Sequence, residues 1–255
     1  MLKNMYRIPY SNLTATCLFL LLLMAMLLFT GCVQNSGLVS YQQKDYAGAL
    51  RHFQSEGDSA GDFAAGVMHY KGEGVQRDPA EAAVWFQRAA NGGHASAQFN
   101  LGLLYLNGEG VAKDLGEAFC WFSRAAAQGD ARAQYNLGLM YARGDGVAED
   151  MAATLNWFRL AAEQGYVKAQ IYLGGLYARG EGVEKDRREA VRWFRMAAEQ
   201  ESTEAQVYLG VMYTKGDGVE KDNDEAAYWL NRAARKGSIT AQRYLEKLSA
   251  KTTKK

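Results

Sequence analysis

The chain of 255 residues is long enough to bury a sizeable hydrophobic core, in one large domain or two small ones. It contains 27 glycines but only 2 prolines, and 48% of its residues are hydrophobic, a composition that excludes a proline-rich or disordered polymer. The formal net charge is +1, so the overall charge balance gives no indication of binding to nucleic acid or to a membrane surface.

The first residues of the chain have the layout of an export signal. Lys3 and Arg7 precede an uninterrupted apolar run over residues 17–29. This run is shorter than the roughly 20 residues that a membrane-spanning helix needs, and it has the proportions of a signal-peptide core. We therefore predict a signal peptide, with an uncleaved signal anchor as the alternative.

The apolar run ends in Leu-Phe-Thr-Gly-Cys at residues 28–32. Small residues directly before Cys32 make this stretch similar to the lipobox of bacterial lipoproteins. The resemblance implies that residues 1–31 are removed and that the thiol of Cys32 is acylated. It also implies transfer to the outer membrane, facing the periplasm, because Val33 stands where aspartate is the retention signal for the inner membrane. The membrane contact would then be made by this N-terminal lipid.

A seven-residue loop recurs five times in the rest of the chain. Its copies GEGVQRD, GEGVAKD, GDGVAED, GEGVEKD and GDGVEKD begin 36 residues apart. The loop lacks the third glycine of the dinucleotide-binding fingerprint and the Gly-Lys-Ser or Gly-Lys-Thr ending of the P-loop, which excludes both phosphate-binding motifs. The copies begin at Gly72, Gly108, Gly144, Gly180 and Gly216.

Each repeated unit is predicted to be a hairpin of two helices. Apolar residues before the loop are four apart, and those after it recur at the spacings of an amphipathic helix. The first helix is expected over about 95–107 in the clearest copy. The two apolar sets of this copy are Ala97, Leu101 and Tyr105, and then Ala118, Trp121, Phe122, Ala125 and Ala126.

The loop residues have predicted structural roles. Gly108 is expected to end the first helix in the left-handed conformation, and Val111 to pack between the two helices. Asp114 is expected to cap the second helix and to form a capping box with Glu117, three residues further on. The same pair recurs as Asp78 and Glu81, Asp186 and Glu189, and Asp222 and Glu225, whereas Asp150 is followed by Ala153.

Glycines and tryptophans mark the expected contacts between units. A glycine recurs inside the first helix, as at Gly102, although it costs about 1 kcal/mol relative to alanine there. We expect close approach of a neighbouring helix backbone at these glycines. One tryptophan per unit is expected to stack on the next as a continuous core column. These are Trp85, Trp121, Trp157, Trp193 and Trp229.

The unit resembles the Sel-one-like repeat, a relative of the tetratricopeptide repeat, over residues 65–244. The shared pattern is Leu-Gly, Tyr, Gly-x-Gly-Val, Asp, Ala, Trp, Ala-Ala and Gly. The resemblance implies an all-α fold, a right-handed superhelical α/α solenoid of about five 36-residue hairpins with a degenerate N-terminal cap. The predicted segments are the signal peptide 1–31, a linker and degenerate cap 32–64, the repeats 65–100, 101–136, 137–172, 173–208 and 209–244, and a C-terminal cap and basic tail 245–255. Departures from the pattern are His69, Thr154, Glu201 and Leu230.

Nothing in the sequence predicts catalysis. The histidines His52, His69 and His94 form no zinc-binding spacing, and Cys120 lies at a position that varies between repeats. We expect no catalytic residue, no metal site and no cofactor. The alternative is a penicillin-binding or weakly β-lactamase-like hydrolase, an activity linked to cysteine-rich relatives. This chain lacks their paired cysteines, and we identify no serine with a base beside it.

The sequence favours a protein-interaction scaffold in the bacterial envelope, with another envelope protein or a host protein as partner and no nucleic acid. In solenoids the first helices commonly line the concave side, where partners bind. Residues that vary on this side are candidates for binding the peptide backbone and an acidic side chain of a partner. Alternatively, the basic residues among these candidates do not bind a partner and are favoured only because a cation interacts well with the dipole at a helix C-terminus. The candidates are Asn100, Asn107, Asn136, Arg143, Tyr172, Arg179, Tyr208 and Lys215.

Overall fold

The computed structural model describes residues 36–252, which contain thirteen α-helices and no β-strand. The predicted signal peptide and Cys32 lie outside these residues. None of the helices in the described part combines the length and the apolar character needed to cross a membrane. The helices are α1 Ser36–Gln42, α2 Tyr46–Glu56, α3 Ser59–Lys71, α4 Pro79–Asn91, α5 Ala95–Asn107, α6 Leu115–Ala127, α7 Ala131–Arg143, α8 Met151–Glu163, α9 Val167–Arg179, α10 Arg187–Glu199, α11 Thr203–Lys215, α12 Asn223–Arg235 and α13 Ile239–Thr252.

The helices form stacked hairpins, as the repeat spacing predicts. The extensive contacts are between helices that follow one another in the chain, which is the arrangement of a solenoid. We call α3, α5, α7, α9 and α11 the first helices, and α4, α6, α8, α10 and α12 the second helices. Helix α5 has the bounds predicted from the sequence. The all-α solenoid fold is therefore confirmed.

The loop between the helices has three of its predicted features. Gly108 adopts the left-handed conformation with φ 71°, and its N–H donates to the carbonyl oxygen of Leu104. Val111 is partly buried against a core that contains residues of α4 and α5 together with the tryptophan of α6. The carboxylate of Asp114 accepts from the backbone N–H of Glu117 at 3.0 Å, which caps α6.

The reciprocal half of the predicted capping box is wrong. The backbone N–H of Asp114 donates to the carbonyl oxygen of Tyr105 at 3.0 Å, so it needs no bond from Glu117. The Glu117 carboxylate instead accepts from the indole N–H of Trp121 at 3.1 Å. The glutamate therefore fixes the buried tryptophan of its own helix, four residues on, rather than the start of the helix.

The second glycine of each loop contacts the preceding repeat. Gly110 has φ 73°, and a Cβ atom there would lie 2.6 Å from the backbone nitrogen of Ala80 in the first turn of α4. Gly146 lies in the same way against Leu115, the first residue of α6. The loop thus packs on the start of the previous second helix, and the glycine allows the two backbones to meet.

The glycine inside each first helix faces a side chain rather than a backbone. A Cβ atom at Gly138 would lie 2.7 Å from the ring of Phe158 on the following second helix. The expected backbone approach is corrected accordingly, because the absent side chain makes room for this ring. Leu230 takes the place of the ring in the last hairpin, against Gly210. In α13 the equivalent position is the exposed Glu246, and no second helix follows it in the described residues.

The tryptophans do not stack on one another, in contrast to the expectation. No ring contact joins two of them within residues 36–252. Each instead packs into the core between the preceding second helix and the first helix of its own hairpin, as Trp121 does with α4 and α5, and Trp193 with α8 and α9. Each tryptophan therefore links its own hairpin to the preceding one.

A ladder of buried glutamines, absent from our sequence predictions, also joins the hairpins. The side-chain amide of Gln170 donates to the carbonyl oxygen of Ala162 at 3.0 Å, and its oxygen accepts from Gln200 at 2.9 Å. Gln98 and Gln134 bond in the same two ways. At the last rung, Gln206 donates to Ala198 but its side-chain oxygen has no partner. Lys236 stands where a glutamine would complete this rung, and it pairs with Glu201 instead.

The incomplete rung provides a matched test of the ladder. We expect Gln170→Leu to lower the free energy of unfolding by about 2 kcal/mol, because it removes two hydrogen bonds, the one to Ala162 and the one from Gln200. Gln206→Leu is expected to cost only about 1 kcal/mol, since it removes one hydrogen bond together with an unpaired oxygen. Both side chains are 0% exposed. Urea unfolding followed by circular dichroism measures the difference, and equal losses would contradict the ladder.

Candidate functional site

We call the exposed sides of the first helices the first-helix face. Two grooves cross it, one between α3 and α5 and the other between α9 and α11. The α3–α5 groove contains the candidates Asn100 and Asn107. The α9–α11 groove contains Tyr172, Arg179 and Tyr208. Five of the eight predicted residues are therefore brought together, in two separate sets.

The α3–α5 groove has a cavity of about 310 Å³ with an apolar floor. Val67, Leu103, Leu104 and Phe86 form the floor, while the asparagines Asn100 and Asn107 lie along one wall. Asn100 is half-buried and Asn107 is exposed. Neither asparagine side chain is hydrogen-bonded to another described residue, so both can pair with a ligand.

The α9–α11 groove has a cavity of about 350 Å³ with tyrosine walls. Tyr172 is 37% exposed and packs on Phe158, with ring centroids 5.0 Å apart. Tyr208 is 43% exposed and stacks on Phe194 at 4.9 Å. The phenylalanines that pack against the helix glycines thus also support the two exposed tyrosines from below.

Arg179 is held over a gap in the floor of the same groove. A Cβ atom at Gly175 would lie 2.9 Å from Nη1 of Arg179, so the guanidinium occupies space that a side chain fills in other repeats. Its Nε donates to Glu181 at 2.6 Å, and this bond is the main cause that raises the pKa of Arg179. Glu181 and the gap at Gly175 therefore favour this position of the guanidinium, whereas an interaction with the helix C-terminus alone specifies no contact in the groove.

The other three candidates lie outside the grooves. The side-chain amide of Asn136 donates to the carbonyl oxygen of Arg132 in its own helix at 2.8 Å, which removes one of its donors. Arg143 and Lys215 form no ion pair within the described residues. The structure therefore gives no special geometry to these three residues, although all of them stand on first helices.

Two further tyrosines extend the aromatic surface and were missed in the sequence. The ring of Tyr135 lies 5.3 Å from that of Tyr166 and 6.1 Å from that of Tyr172. Burial is the main cause that raises the pKa of Tyr135 and of Tyr166, which keeps both hydroxyls protonated. Tyr166 precedes α9 without capping it, whereas Asp130 caps α7 at the equivalent position. The absence of a capping side chain at residue 166 is the feature of the sequence that could have identified this tyrosine as a surface residue with another role.

The residues considered for chemistry are dispersed. Nδ1 of His94 accepts from the backbone N–H of Ala97 at 3.2 Å as the cap of α5, and burial lowers its pKa. Cys120 is exposed and unpaired. Among residues 36–252 no group of three histidine, cysteine or carboxylate side chains is placed to hold a metal ion.

One serine does have a base beside it, which corrects the sequence analysis. Oγ of Ser36 lies 3.1 Å from Nδ1 of His52. The pair is exposed to solvent. A nucleophile of this kind also needs a group that orients the histidine and donors for the developing oxyanion, so the contact alone does not make an active site.

Comparisons with known proteins agree with the repeat geometry. The sequence model of the Sel1 repeat matches residues 59–94, 95–130, 131–166, 167–202 and 203–238. These segments begin six residues before the predicted repeats, at the start of each first helix rather than at its Leu-Gly pair. The matched segments and the predicted repeats therefore have the same length and differ only in where each unit is taken to begin. A search of the curated proteins found no match.

Solved structures of similar sequence have the same fold. A protective antigen of uropathogenic Escherichia coli strains, which displays an SLR fold, is 35% identical with a TM-score of 0.79. That match covers 81% of this chain but 46% of the antigen. A Sel1 repeat protein from Oxalobacter formigenes is 38% identical with a TM-score of 0.75, over 82% of this chain and 86% of that one.

A more distant structure shows the fold alone. PilF of Pseudomonas aeruginosa is 18% identical, with a TM-score of 0.56 over 83% of this chain and 94% of its own. Proteins built from Sel1 repeats generally mediate protein–protein interactions. Because the repeat model matches five consecutive hairpins from α3 to α12, the chain belongs to the Sel1 repeat family.

Proposed function

We propose that this protein is a non-enzymatic interaction scaffold, anchored by lipid in the bacterial envelope, which binds another envelope protein or a host protein on the first-helix face. We take this face to be the concave side of the array. The observation that carries the proposal is the α9–α11 groove, where Tyr172 and Tyr208 are exposed above a packed core.

Exposed tyrosines in a groove are typical of binding surfaces. Tyrosine and arginine are enriched among the residues that contribute most to protein–protein affinity, and a tyrosine buries a large area while losing little conformational freedom. Tyr172 and Tyr208 rest on phenylalanines, and Arg179 is fixed by Glu181. All three side chains are therefore preorganised, which lowers the entropic cost of binding.

Quantitative recovery of partners from cross-linked envelopes tests this surface. We expect Tyr172→Ala and Tyr208→Ala each to reduce the recovered partner at least about tenfold, as residues central to an interface do. Tyr228 is the matched control, because it is 52% exposed on a second helix. Tyr228→Ala is expected to recover the partner in wild-type amounts. Recovery of equal amounts of partner by all three variants would contradict the proposal.

The lipid anchor is a separate part of the proposal. A tether at Cys32 would hold the array at the membrane and raise its effective concentration for a partner there. Metabolic labelling with palmitate is expected to mark the wild-type protein and to be lost completely in Cys32→Ser. Labelling that persists in Cys32→Ser would exclude this anchor. A product that retains residues 1–31 would favour the uncleaved signal anchor.

The similarity to the protective antigen supports an envelope setting. That protein is an antigen in uropathogenic strains, and this chain matches 46% of its length. An exposed position in the envelope would make a host protein available as a partner, beside the proteins of the envelope itself.

A further inference from the structure

We propose that the α3–α5 groove binds an extended, uncharged peptide segment of the partner, with an apolar side chain on the groove floor and the peptide backbone paired to Asn100 and Asn107. This inference rests on the proposed function, and it assigns a chemistry to the bound segment. The segment would run along α5.

The first observation is the pair of free carboxamides. Asn100 and Asn107 line the cavity, and neither side chain is hydrogen-bonded within the described residues. A carboxamide presents a donor and an acceptor side by side, which matches the N–H and C=O groups of a peptide backbone. Asn136 occupies the same repeat position as Asn100, but its amide already bonds to Arg132.

The second observation is that α5 departs from the other first helices at its end. Those helices end in Lys71, Arg143, Arg179 and Lys215, where a cation interacts favourably with the helix dipole. Helix α5 ends in Asn107 instead and gives up this stabilisation. The substitution lies within the groove, so its benefit is expected in binding rather than in the fold.

The third observation is the absence of free charge in the lining. Glu109 is bonded to Tyr70 and paired with Arg77, and Lys71 lies 3.7 Å from Glu73. Both charged side chains of the lining are therefore balanced by residues beside them. A charged ligand would lose its hydration without gaining a partner, whereas an uncharged segment would not.

The fourth observation is the fit between the floor and the wall. Phe86 and Leu104 are buried beneath the cavity, and Val67 and Leu103 are partly exposed to it. Asn100 and Asn107 are seven residues apart, or roughly 10 Å along a helix. An extended chain advances about 3.3 Å per residue, so the two asparagines would contact peptide residues three positions apart. An apolar side chain between them would face the floor.

Selection from a random nonapeptide library tests the chemistry of the segment. The peptides are acetylated and amidated to remove terminal charges, and the full mature protein in detergent is the target. We expect enrichment of uncharged peptides with a central apolar residue. For a selected peptide, Asn100→Ala and Asn107→Ala should each weaken binding about tenfold. Asn136→Ala is the control and should bind as the wild type does.

Backbone N-methylation of the selected peptide supplies a test that leaves the protein unchanged. We expect two sensitive positions, three residues apart, and a smaller effect of each methyl group in the matching asparagine variant. Enrichment of charged peptides, no enrichment, or full binding by both asparagine variants would overturn the inference. The two proposals can fail separately. If one of these results is obtained while Tyr208→Ala still loses the partner, the inference about the α3–α5 groove is wrong and the proposed function is still supported.

Discussion

Replacing Gly146 with alanine is expected to lower the free energy of unfolding by about 3 kcal/mol or more, although alanine is otherwise a mild substitution. Two causes add. Gly146 has φ 72°, where a Cβ atom is strained, and the new atom would lie 2.6 Å from the carbonyl carbon of Leu115. The loop would have to move away from the start of α6, which also loosens the contact between hairpins. Urea unfolding followed by circular dichroism measures the loss.

Gly129 is the matched control for this prediction. It has φ 89°, but no atom lies within 4 Å of the position that a Cβ would take. Gly129→Ala should therefore cost only the left-handed strain of about 1–2 kcal/mol. Because repeat arrays unfold by nearest-neighbour coupling, Gly146→Ala should also broaden or split the transition, and Gly129→Ala should not. Equal losses in the two variants would contradict the docking role of the second loop glycine.

Truncation of Phe158 to alanine is expected to cost about 4 kcal/mol, the usual loss for a fully buried aromatic side chain. Phe158 is 0% exposed and fills the space above Gly138. Its ring also lies beneath Tyr172 and Tyr135, so the truncation should disturb the first-helix face as well. The same denaturation experiment measures the stability, and partner recovery measures the effect on the surface.

Phe158→Leu is the control, because the last hairpin already uses Leu230 in this place against a glycine. We expect a loss below about 1.5 kcal/mol for this substitution. A leucine variant as unstable as the alanine variant would show that the aromatic ring itself is required. An alanine variant of wild-type stability would show that this contact does not hold the two helices of the hairpin together.

Much of each hairpin could be predicted from the sequence because its signals are local. The four-residue spacing before the loop, Gly108 and the cap at Asp114 all act within a few residues of where they stand. The contacts between hairpins could not be read in this way. The partner of Gly110 lies in the preceding second helix, and Gln170 bonds to the carbonyl oxygen of Ala162 in the preceding hairpin.

The candidate surface was predicted in part for the same reason. Counting along the first helices placed Tyr172 and Tyr208 on one side, and the structure places both in one groove. Counting did not reveal which candidates share a groove, since this depends on the distances between helices. Gly175 was informative in retrospect, because it replaces a larger apolar residue, and Arg179 lies over it.

The molecule thus separates its scaffold from its variable surface. Glycines, phenylalanines and glutamines recur in the contacts within and between hairpins, whereas the grooves carry asparagines at one end and tyrosines at the other. The repeated residues set the positions of the helices, and the residues between them are free to differ. Under the proposed function, those differences determine the partner.

Site-specific photocrosslinking tests this account most directly. Benzoylphenylalanine would replace Tyr172 or Tyr208 on the first-helix face, and Val84 or Tyr228 on the second helices, all of which are exposed. Illumination of intact envelopes should yield one discrete crosslinked species from positions 172 and 208 and none from positions 84 and 228. Crosslinking only from positions 84 and 228, or equally from all four, would contradict partner binding on the first-helix face.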